Sequence, residues 1–212
     1  MLDATLRRRL DGPLDRAASL LDRPGVTPDR LTLLGLATGL ASAATSAAQL
    51  WGWALGLWLV SRLLDGLDGP LARRRASVRG EDHGQAGGFL DITCDFLVYG
   101  ATVVGVGLGV TRGEGASWLP FVAVLLAYYV NGTAFLAFSS IAERTGHRID
   151  DGRSLSFLGG LAEGAETILV HALWLVLPAH AAGIAWVWAT VVAVSALHRM
   201  VAGYLILRRT PG

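Results

Sequence analysis

The stretch that decides how the chain is interpreted covers residues 65–95 and has the sequence DGLDGPLARRRASVRGEDHGQAGGFLDITCD. It places four aspartates in or beside segments that are otherwise apolar enough to lie in a bilayer: Asp65, Asp68, Asp91 and Asp95. An aspartate at the centre of a membrane helix costs roughly 2.5–3.5 kcal/mol on insertion scales. Four of them imply shielding, a bound cation or a position near the membrane surface, and a functional role is the default interpretation.

The spacing of the aspartates predicts a metal site. Asp65 and Asp68 are three residues apart, and Asp91 and Asp95 are four apart, so on helices each pair presents both carboxylates on one face. Four like charges close together repel one another, whereas a divalent cation among them holds them ionised. Oxygen ligands favour Mg²⁺ or Mn²⁺ over Zn²⁺, and the one nearby thiol, Cys94, points away from the face that carries its neighbour Asp95.

A family resemblance follows from the same residues. The pattern Asp65-Gly66-x-Asp68-Gly69-x-x-Ala72-Arg73, followed by Gly87-x-x-x-Asp91-x-x-x-Asp95, resembles the signature of the CDP-alcohol phosphotransferases, and every signature residue is present. The segment between the two halves, residues 74–86, is longer than the family usually has. Its polar part, SVRGEDHG, predicts a loop, so we expect the two helix faces to survive and the loop geometry to differ.

The resemblance implies a reaction in which a hydroxyl of an acceptor attacks the phosphate of a CDP-linked alcohol and CMP leaves. It implies two divalent cations, Mg²⁺ or Mn²⁺, bound by the four aspartates, with Asp95 also the general base. Small residues let a nucleotide approach a helix backbone, and the planar guanidinium of Arg73 suits a phosphate. The CDP or phosphate site implied in this way consists of Gly66, Asp68, Gly69, Ala72, Arg73 and Gly87.

Composition places the chain in a membrane. Of its 212 residues 52% are hydrophobic, and its mean hydropathy is +0.47. We predict an all-α integral membrane protein whose residues 31–212 form a catalytic domain of six transmembrane helices, with the active site in 65–95. The predicted spans are about 31–50, 51–73, 87–110, 117–141, 155–178 and 182–207.

Residues 1–30 form a separate amphipathic segment in this scheme. Leu6, Leu10, Leu14 and Leu21 fall near one helical face, which indicates either a juxtamembrane helix in the headgroup region or a cytoplasmic helix packed on the rest of the chain. Thr27-Pro28 then supplies a cap and a first-turn proline for the first span. The glycines of VGVGLG in the third span are predicted to be close-packing points between helices.

The arginines give the predicted orientation. They cluster before the first span and after the second, fourth and sixth, whereas Arg112 alone lies at the other side. By the positive-inside rule both termini and the 74–86 segment face the cytoplasm, here of a bacterial inner membrane. The four aspartates then lie at the cytoplasmic ends of the second and third spans.

Polar residues near the cytoplasmic ends of the later spans are candidates for an acceptor pocket. Arginines there suit a phosphorylated polyol such as glycerol 3-phosphate, slightly preferred over inositol, serine or another uncharged or zwitterionic alcohol. Two other interpretations stay open: the arginines only set topology, or Glu166 and Arg199 form a structural ion pair. The pocket candidates are Arg144, Arg148, Arg153, Glu163, Glu166, His198 and Arg199.

The resemblance further implies CDP-diacylglycerol as donor, the lipid bilayer as surroundings and a homodimer, and we expect no nucleic-acid partner. One alternative is transfer of phosphocholine or phosphoethanolamine from a soluble CDP-alcohol to diacylglycerol at the same metal site. Another is a small cation-coupled transporter. Transporters usually bind their substrates near the midplane between repeats, whereas these acids are predicted at one membrane surface.

Overall fold

The computed structural model describes residues 2–79, 84–145 and 163–208, with side chains described for 12–78, 85–144 and 163–208. All regular structure in these ranges is helical, which confirms the all-α prediction. A single 3₁₀ turn, Pro178–His180, separates the last two helices. The α-helices are α1 (Leu2–Leu21), α2 (Pro28–Ala47), α3 (Trp51–Arg79), α4 (Gly84–Glu114), α5 (Leu119–Thr145), α6 (Gly164–Val176) and α7 (Ala181–Arg208).

Among the residues that the structure describes, three segments are long and apolar enough to cross a membrane, where six spans were predicted. They are Gln85–Glu114, Leu119–Arg144 and Pro178–Arg208. The helix α3 is long but carries acidic and basic groups in its second half, and α6 has 13 residues in the described part of the chain. Much of the predicted span 155–178 lies outside the described residues. Membrane crossing by α2, α3 and α6 therefore stays a prediction.

The first turn of α2 forms as its sequence predicts. Thr27 is extended, and its hydroxyl accepts a hydrogen bond from the backbone N–H of Arg30 at 3.2 Å. Pro28 follows at the first helical position, where its missing N–H costs no helical hydrogen bond. The cap fixes where α2 begins and hence where its polar residue Thr32 lies.

Glycines bring α4 against α2, as predicted for the VGVGLG segment. A Cβ on Gly105 would lie 2.2 Å from the carbonyl oxygen of Ala43, and one on Gly109 would lie 2.2 Å from that of Ser46. No side chain fits at such distances, so glycine is required at both positions. The close approach holds α4 beside the helix pair formed by α2 and α3.

The N-terminal helix α1 packs on α2 and α3. Ala18, Leu31, Leu67 and Leu71 form a small buried cluster, and Leu14 and Leu21 pack against it. The end of α1 is tied to α3 by ion pairs from Asp22. Its carboxylate lies 3.1 Å from Nε of Arg75 and 3.4 Å from Nε of Arg74. The contacts agree with a helix packed on the rest of the chain, and its depth in the headgroup region stays a prediction.

The loop predicted from SVRGEDHG is wrong over part of its length. Ser77, Val78 and Arg79 continue α3, and Gly84 already belongs to α4. The Ser77 hydroxyl donates to the Arg74 carbonyl at 2.9 Å, so this polar side chain is satisfied within the helix. Polarity alone does not end a helix, and neither Gly nor Pro occurs before Gly80 in this segment. Residues 80–83 lie outside the described ranges.

The main core is formed by the five helices from α3 through α7. Large side chains from each of these five helices are buried together, with Trp58, Val98, Phe121, Trp174 and Trp188 at its centre. Other large apolar groups face outward, among them Trp53, Phe89 and Tyr129. An apolar exterior of this extent fits contact with lipid.

Candidate active site

Three of the four predicted aspartates meet between α3 and α4. Asp65 lies on α3, and Asp91 and Asp95 lie one turn apart on the facing side of α4. One carboxylate oxygen from each residue can be chosen so that all three lie within 4.8 Å of one another, and each side chain is half-buried. Three oxygen ligands at this spacing fit a hard divalent cation such as Mg²⁺ or Mn²⁺. We refer to Asp65, Asp91 and Asp95 as the carboxylate triad.

Asp68 lies one turn after Asp65 but contacts a different helix. Its side chain is buried, and its Oδ2 accepts a hydrogen bond from the Thr32 hydroxyl of α2 at 2.5 Å. The structure therefore brings three of the predicted metal ligands together and places the fourth beside them, held by Thr32. A hydroxyl donor satisfies one lone pair of the carboxylate and leaves others for a ligand.

Arg62 is a buried partner of the triad that the sequence analysis missed. Its Nη1 lies 2.6 Å from Oδ1 of Asp95 and 3.6 Å from Oδ2 of Asp65. The guanidinium carbon lies 5.1 Å from the ring centroids of both Trp58 and Tyr99. A sequence signal existed, because Arg62 precedes Asp65 by three residues and shares its helix face.

Of the predicted nucleotide residues, Arg73 lines a cleft at the end of α3. Arg73 is exposed and lines a cavity of about 400 Å³ together with Asp15, Pro70, Arg74, Ser77 and Val78. A Cβ on Gly69 would lie 3.3 Å from Nη1 of Arg73, so glycine leaves room for the guanidinium. Gly66 and Ala72 are half-buried on α3, and Gly87 is half-buried on α4 one turn before Asp91.

The predicted acceptor pocket is only partly within the described residues. Arg199 is buried on α7, where its Nη1 donates to Oδ1 of Asn131 at 3.2 Å and its guanidinium lies 5.8 Å from the ring centroid of Phe135. Glu163 and Glu166 are half-buried at the start of α6. His198 and Arg144 are exposed. Arg148 and Arg153 lie outside the described residues.

A family model described as CDP-alcohol phosphatidyltransferase matches residues 25–196, which are most of the chain and include the carboxylate triad and Asp68. The chain belongs to this family. The resemblance indicated by the signature is thus confirmed, and the protein is a CDP-alcohol phosphatidyltransferase, a membrane-bound transferase of phospholipid synthesis.

Curated relatives of this phosphatidyltransferase include one that matches along its full length. The chain is 39% identical over 214 residues to the inner membrane protein YnjF of Escherichia coli, with 98% of each chain covered. It is 31% identical to a phosphatidylinositol phosphate synthase of Mycobacteroides abscessus, over 72% of this chain and 63% of the relative. It is also 32% identical to an archaetidylinositol phosphate synthase of Pyrococcus horikoshii, over 68% of this chain and 76% of the relative. YnjF is an inner membrane protein, and the described part of this chain contains helices apolar enough to cross a membrane. The phosphatidyltransferase is therefore a multi-pass protein of the inner membrane.

Solved structures share the fold of this phosphatidyltransferase. The phosphatidylinositol phosphate synthase of Mycobacterium tuberculosis with CDP-DAG bound superposes with a TM-score of 0.70 at 21% identity, covering 90% of this chain and 93% of the other. The same synthase in complex with manganese and citrate gives a TM-score of 0.70 at 24% identity, covering 90% and 88%. At these identities the likeness establishes the helical arrangement.

Proposed function

We propose that this enzyme transfers a phosphatidyl group from CDP-diacylglycerol to a hydroxyl of a small phosphorylated alcohol and releases CMP. The observation that carries the proposal is the carboxylate triad, which the family signature builds from two facing helices. The names of two relatives, a phosphatidylinositol phosphate synthase and an archaetidylinositol phosphate synthase, support a phosphorylated polyol as the class of acceptor. The solved relative with CDP-DAG supports the donor.

The metal ligands in this proposal are the triad and Asp68. Asp65, Asp91 and Asp95 already lie at ligand spacing, and Asp68 keeps lone pairs beyond its hydrogen bond to Thr32. Divalent cations bound there neutralise the pyrophosphate of the donor and stabilise the leaving CMP. All the ligands are oxygen atoms, so Mg²⁺ and Mn²⁺ both suit the site.

The chain's own residues then bind the donor and move one proton. The acceptor oxygen forms a bond to the phosphorus that carries the diacylglycerol, and the bond from that phosphorus to the oxygen of CMP breaks. Asp95 takes the proton that the acceptor hydroxyl loses. Arg73 contacts the departing phosphate in the cleft at the end of α3, and Gly66, Gly69, Ala72 and Gly87 let the nucleotide lie against the helices.

A buried arginine favours a phosphorylated acceptor. Arg199 lies inside the bundle, with its guanidinium oriented by Asn131. An oriented guanidinium can bind phosphate oxygens through two parallel hydrogen bonds. Inositol phosphate and glycerol 3-phosphate both present such a group, and the names of the relatives give inositol phosphate the stronger support. The remaining candidates to contact the polyol are Arg144, Arg148, Arg153, Glu163, Glu166 and His198.

The test is CMP release by the purified protein in detergent. The assay contains CDP-diacylglycerol, Mg²⁺ or Mn²⁺ and one acceptor at a time from a panel of inositol phosphate, glycerol 3-phosphate, inositol and serine. We expect release with a phosphorylated polyol, reversible loss on adding EDTA, and loss of turnover but not of CDP-diacylglycerol binding in Asp95→Asn. Asp29→Asn, which changes an exposed aspartate on α2, is the matched control and should retain full turnover.

The outcomes separate the competing functions. If CMP were released only when CDP-choline or CDP-ethanolamine was supplied with diacylglycerol, the lipid would be the acceptor and not the donor of the reaction. Release that continues in metal-free buffer would refute the metal site, and normal turnover of Asp95→Asn would remove Asp95 as the base. Binding of cations without any CMP release would favour the transporter alternative.

A further inference from the structure

Arg62 is a buried arginine that lies beside two carboxylates and two aromatic rings. Its side chain is 5% exposed, while the Asp65 and Asp95 side chains that it meets are 23% and 28% exposed. Taking a guanidinium out of water is unfavourable unless charge and hydrogen bonds replace the lost hydration. Here a carboxylate at 2.6 Å and two aromatic faces supply that replacement.

The contacts of Arg62 are divided between its two terminal nitrogens. Nη1 donates to Oδ1 of Asp95 at 2.6 Å and to the hydroxyl of Tyr99 at 3.3 Å. Nη2 donates to Oγ of Ser61 at 3.0 Å, and the Ser61 hydroxyl in turn donates to the Gly35 carbonyl of α2 at 2.7 Å. The guanidinium is therefore held directly by α4 and by Ser61 of its own helix, and through Ser61 it is linked to α2, so it cannot rotate without breaking several contacts.

This anchoring determines which oxygen of Asp95 the guanidinium holds. Arg62 precedes Asp65 by one turn on α3, and Tyr99 follows Asp95 by one turn on α4, so both lie on the same side of the carboxylate triad along these two helices. Oδ1 of Asp95 is bound to the guanidinium. The second oxygen, Oδ2, is the one that remains beside the other triad carboxylates for a cation and the reacting groups.

We propose that Arg62 is a positioning residue for the transfer reaction, which holds Asp95 by one carboxylate oxygen so that the other stays aimed at the acceptor hydroxyl. This inference rests on the proposed function, in which Asp95 takes the acceptor proton. The planar fork of the guanidinium fixes the carboxylate by direction as well as by charge. A lysine ammonium, as a compact charge on a flexible stem, cannot reproduce the contacts to Asp95, Tyr99 and Ser61 together.

The experiment compares Arg62→Lys and Arg62→Met with the wild-type protein in the CMP-release assay. Each preparation is normalised to the protein that binds Mn²⁺, counted by electron paramagnetic resonance, so that misfolded protein does not enter the rate. We expect kcat per Mn²⁺-binding protein to fall about 10- to 100-fold in both variants, the scale seen when a group that orients a metal-site ligand is lost. KM for CDP-diacylglycerol should change by less than about threefold in protein that has bound Mn²⁺, because the contacts of Arg62 are to Asp65, Asp95, Tyr99 and Ser61 and not to Arg73 and the glycines proposed to bind the nucleotide.

Arg75→Met is the matched control. Arg75 is also a buried arginine on α3 paired with an aspartate, Asp22, but that pair ties α1 to α3 away from the triad. Its loss should lower the yield of folded protein and leave kcat per Mn²⁺-binding protein close to wild type. If Arg62 had only a structural role, its variants would also give less folded protein and an unchanged kcat per Mn²⁺-binding protein.

The outcomes are as follows. Unchanged kcat per Mn²⁺-binding protein in both Arg62 variants overturns the inference while the proposed function stands. No CMP release from the wild-type protein overturns the proposed function and this inference with it. If neither Arg62 variant binds Mn²⁺, Ser61→Ala decides, because it keeps the arginine and removes one anchor. A fall in its kcat of about threefold or more supports the inference, and unchanged kcat overturns it.

Discussion

Asp68 differs from the other three aspartates in its contact with Thr32. The hydroxyl comes from α2, 36 residues earlier in the chain, and donates to a carboxylate that is 7% exposed. A hydrogen bond to a buried charged group contributes about 1.5–3 kcal/mol, more than one between neutral groups. Thr32 therefore both stabilises the junction of α2 with α3 and sets the direction of the Asp68 carboxylate.

Thr32→Val tests this contact because valine keeps the branched shape and loses the donor. We expect a lower melting temperature in detergent and a fall in CMP release of about tenfold, on the scale of other groups that orient metal ligands. Thr38→Val is the control on the same helix, since the Thr38 hydroxyl bonds only to the Leu34 and Gly35 carbonyls of its own helix. Equal turnover in the two variants would show that Asp68 needs no orientation by Thr32.

The sequence predicted part of this residue-scale picture. The three- and four-residue spacings of the aspartates were sufficient to predict two carboxylate faces, because helical periodicity is local. The Thr32 contact was not predictable, since it depends on how α2 lies against α3. Arg62 could have been recognised from its position one turn before Asp65, and its contact with Trp58, one turn earlier on the same helix, is equally local, whereas its contact with Tyr99 depends on how α4 packs against α3.

At the scale of the elements, the packing of α4 on α2 depends on glycine. The carbonyl oxygens of Ala43 and Ser46 occupy the space that side chains at Gly105 and Gly109 would take. Because α4 also carries Asp91 and Asp95, any shift of this helix away from α2 changes the triad as well. The helix contact and the site are therefore coupled.

Gly105→Ala should separate the two helices and lower both the melting temperature and CMP release. Gly100→Ala on the same helix is the control, because a Cβ there meets nothing within 4 Å. Alanine is favoured over glycine inside a helix by about 1 kcal/mol, so this control should be as stable as wild type or slightly more stable. The melting temperature of each variant is measured by thermal unfolding followed by size-exclusion chromatography, and its turnover by the CMP-release assay. A Gly105→Ala variant as stable as Gly100→Ala would contradict the close packing.

The element boundaries show where sequence patterns were sufficient. The start of α2 was predictable because a threonine cap and a first-turn proline act locally. The predicted loop after α3 was wrong at residues 77–79 because charged and polar residues are compatible with a helix that extends beyond the apolar region. The break predicted between the last two spans, after residue 178, agrees with the structure to within two residues, since α6 ends at Val176 and the turn at Pro178–His180 precedes α7.

For the whole molecule, the arginine pattern predicts that both termini face the cytoplasm. We expect a cysteine introduced at Ser19, an exposed position on α1, to resist a membrane-impermeant maleimide in intact spheroplasts and to react after permeabilisation. A cysteine at Glu114, exposed at the far end of α4, should react in both. The native Cys94 is buried and gives little background. Reaction of Ser19→Cys in intact spheroplasts would reverse the orientation.

The assembly state is a separate prediction at this scale. The family resemblance implies a homodimer, so light scattering in detergent should give a protein mass of twice the 22.3 kDa protomer. Outward-facing apolar side chains on α4 and α5, such as Val104 and Leu126, are available for lipid or for a second copy. A protein mass of one protomer, retained at high concentration, would contradict the dimer.

The polar character of α2 and α3 affects how the chain enters the membrane during synthesis. Neither helix is among the segments apolar enough to cross a bilayer alone. They hydrogen-bond to each other through the Ser42 hydroxyl, which donates to the Ala54 carbonyl at 2.7 Å, and through the Ser61 hydroxyl, which donates to the Gly35 carbonyl at 2.7 Å. In the six-span arrangement these two helices would leave the translocon as a hairpin, with α2 waiting at the channel until the ribosome has delivered α3.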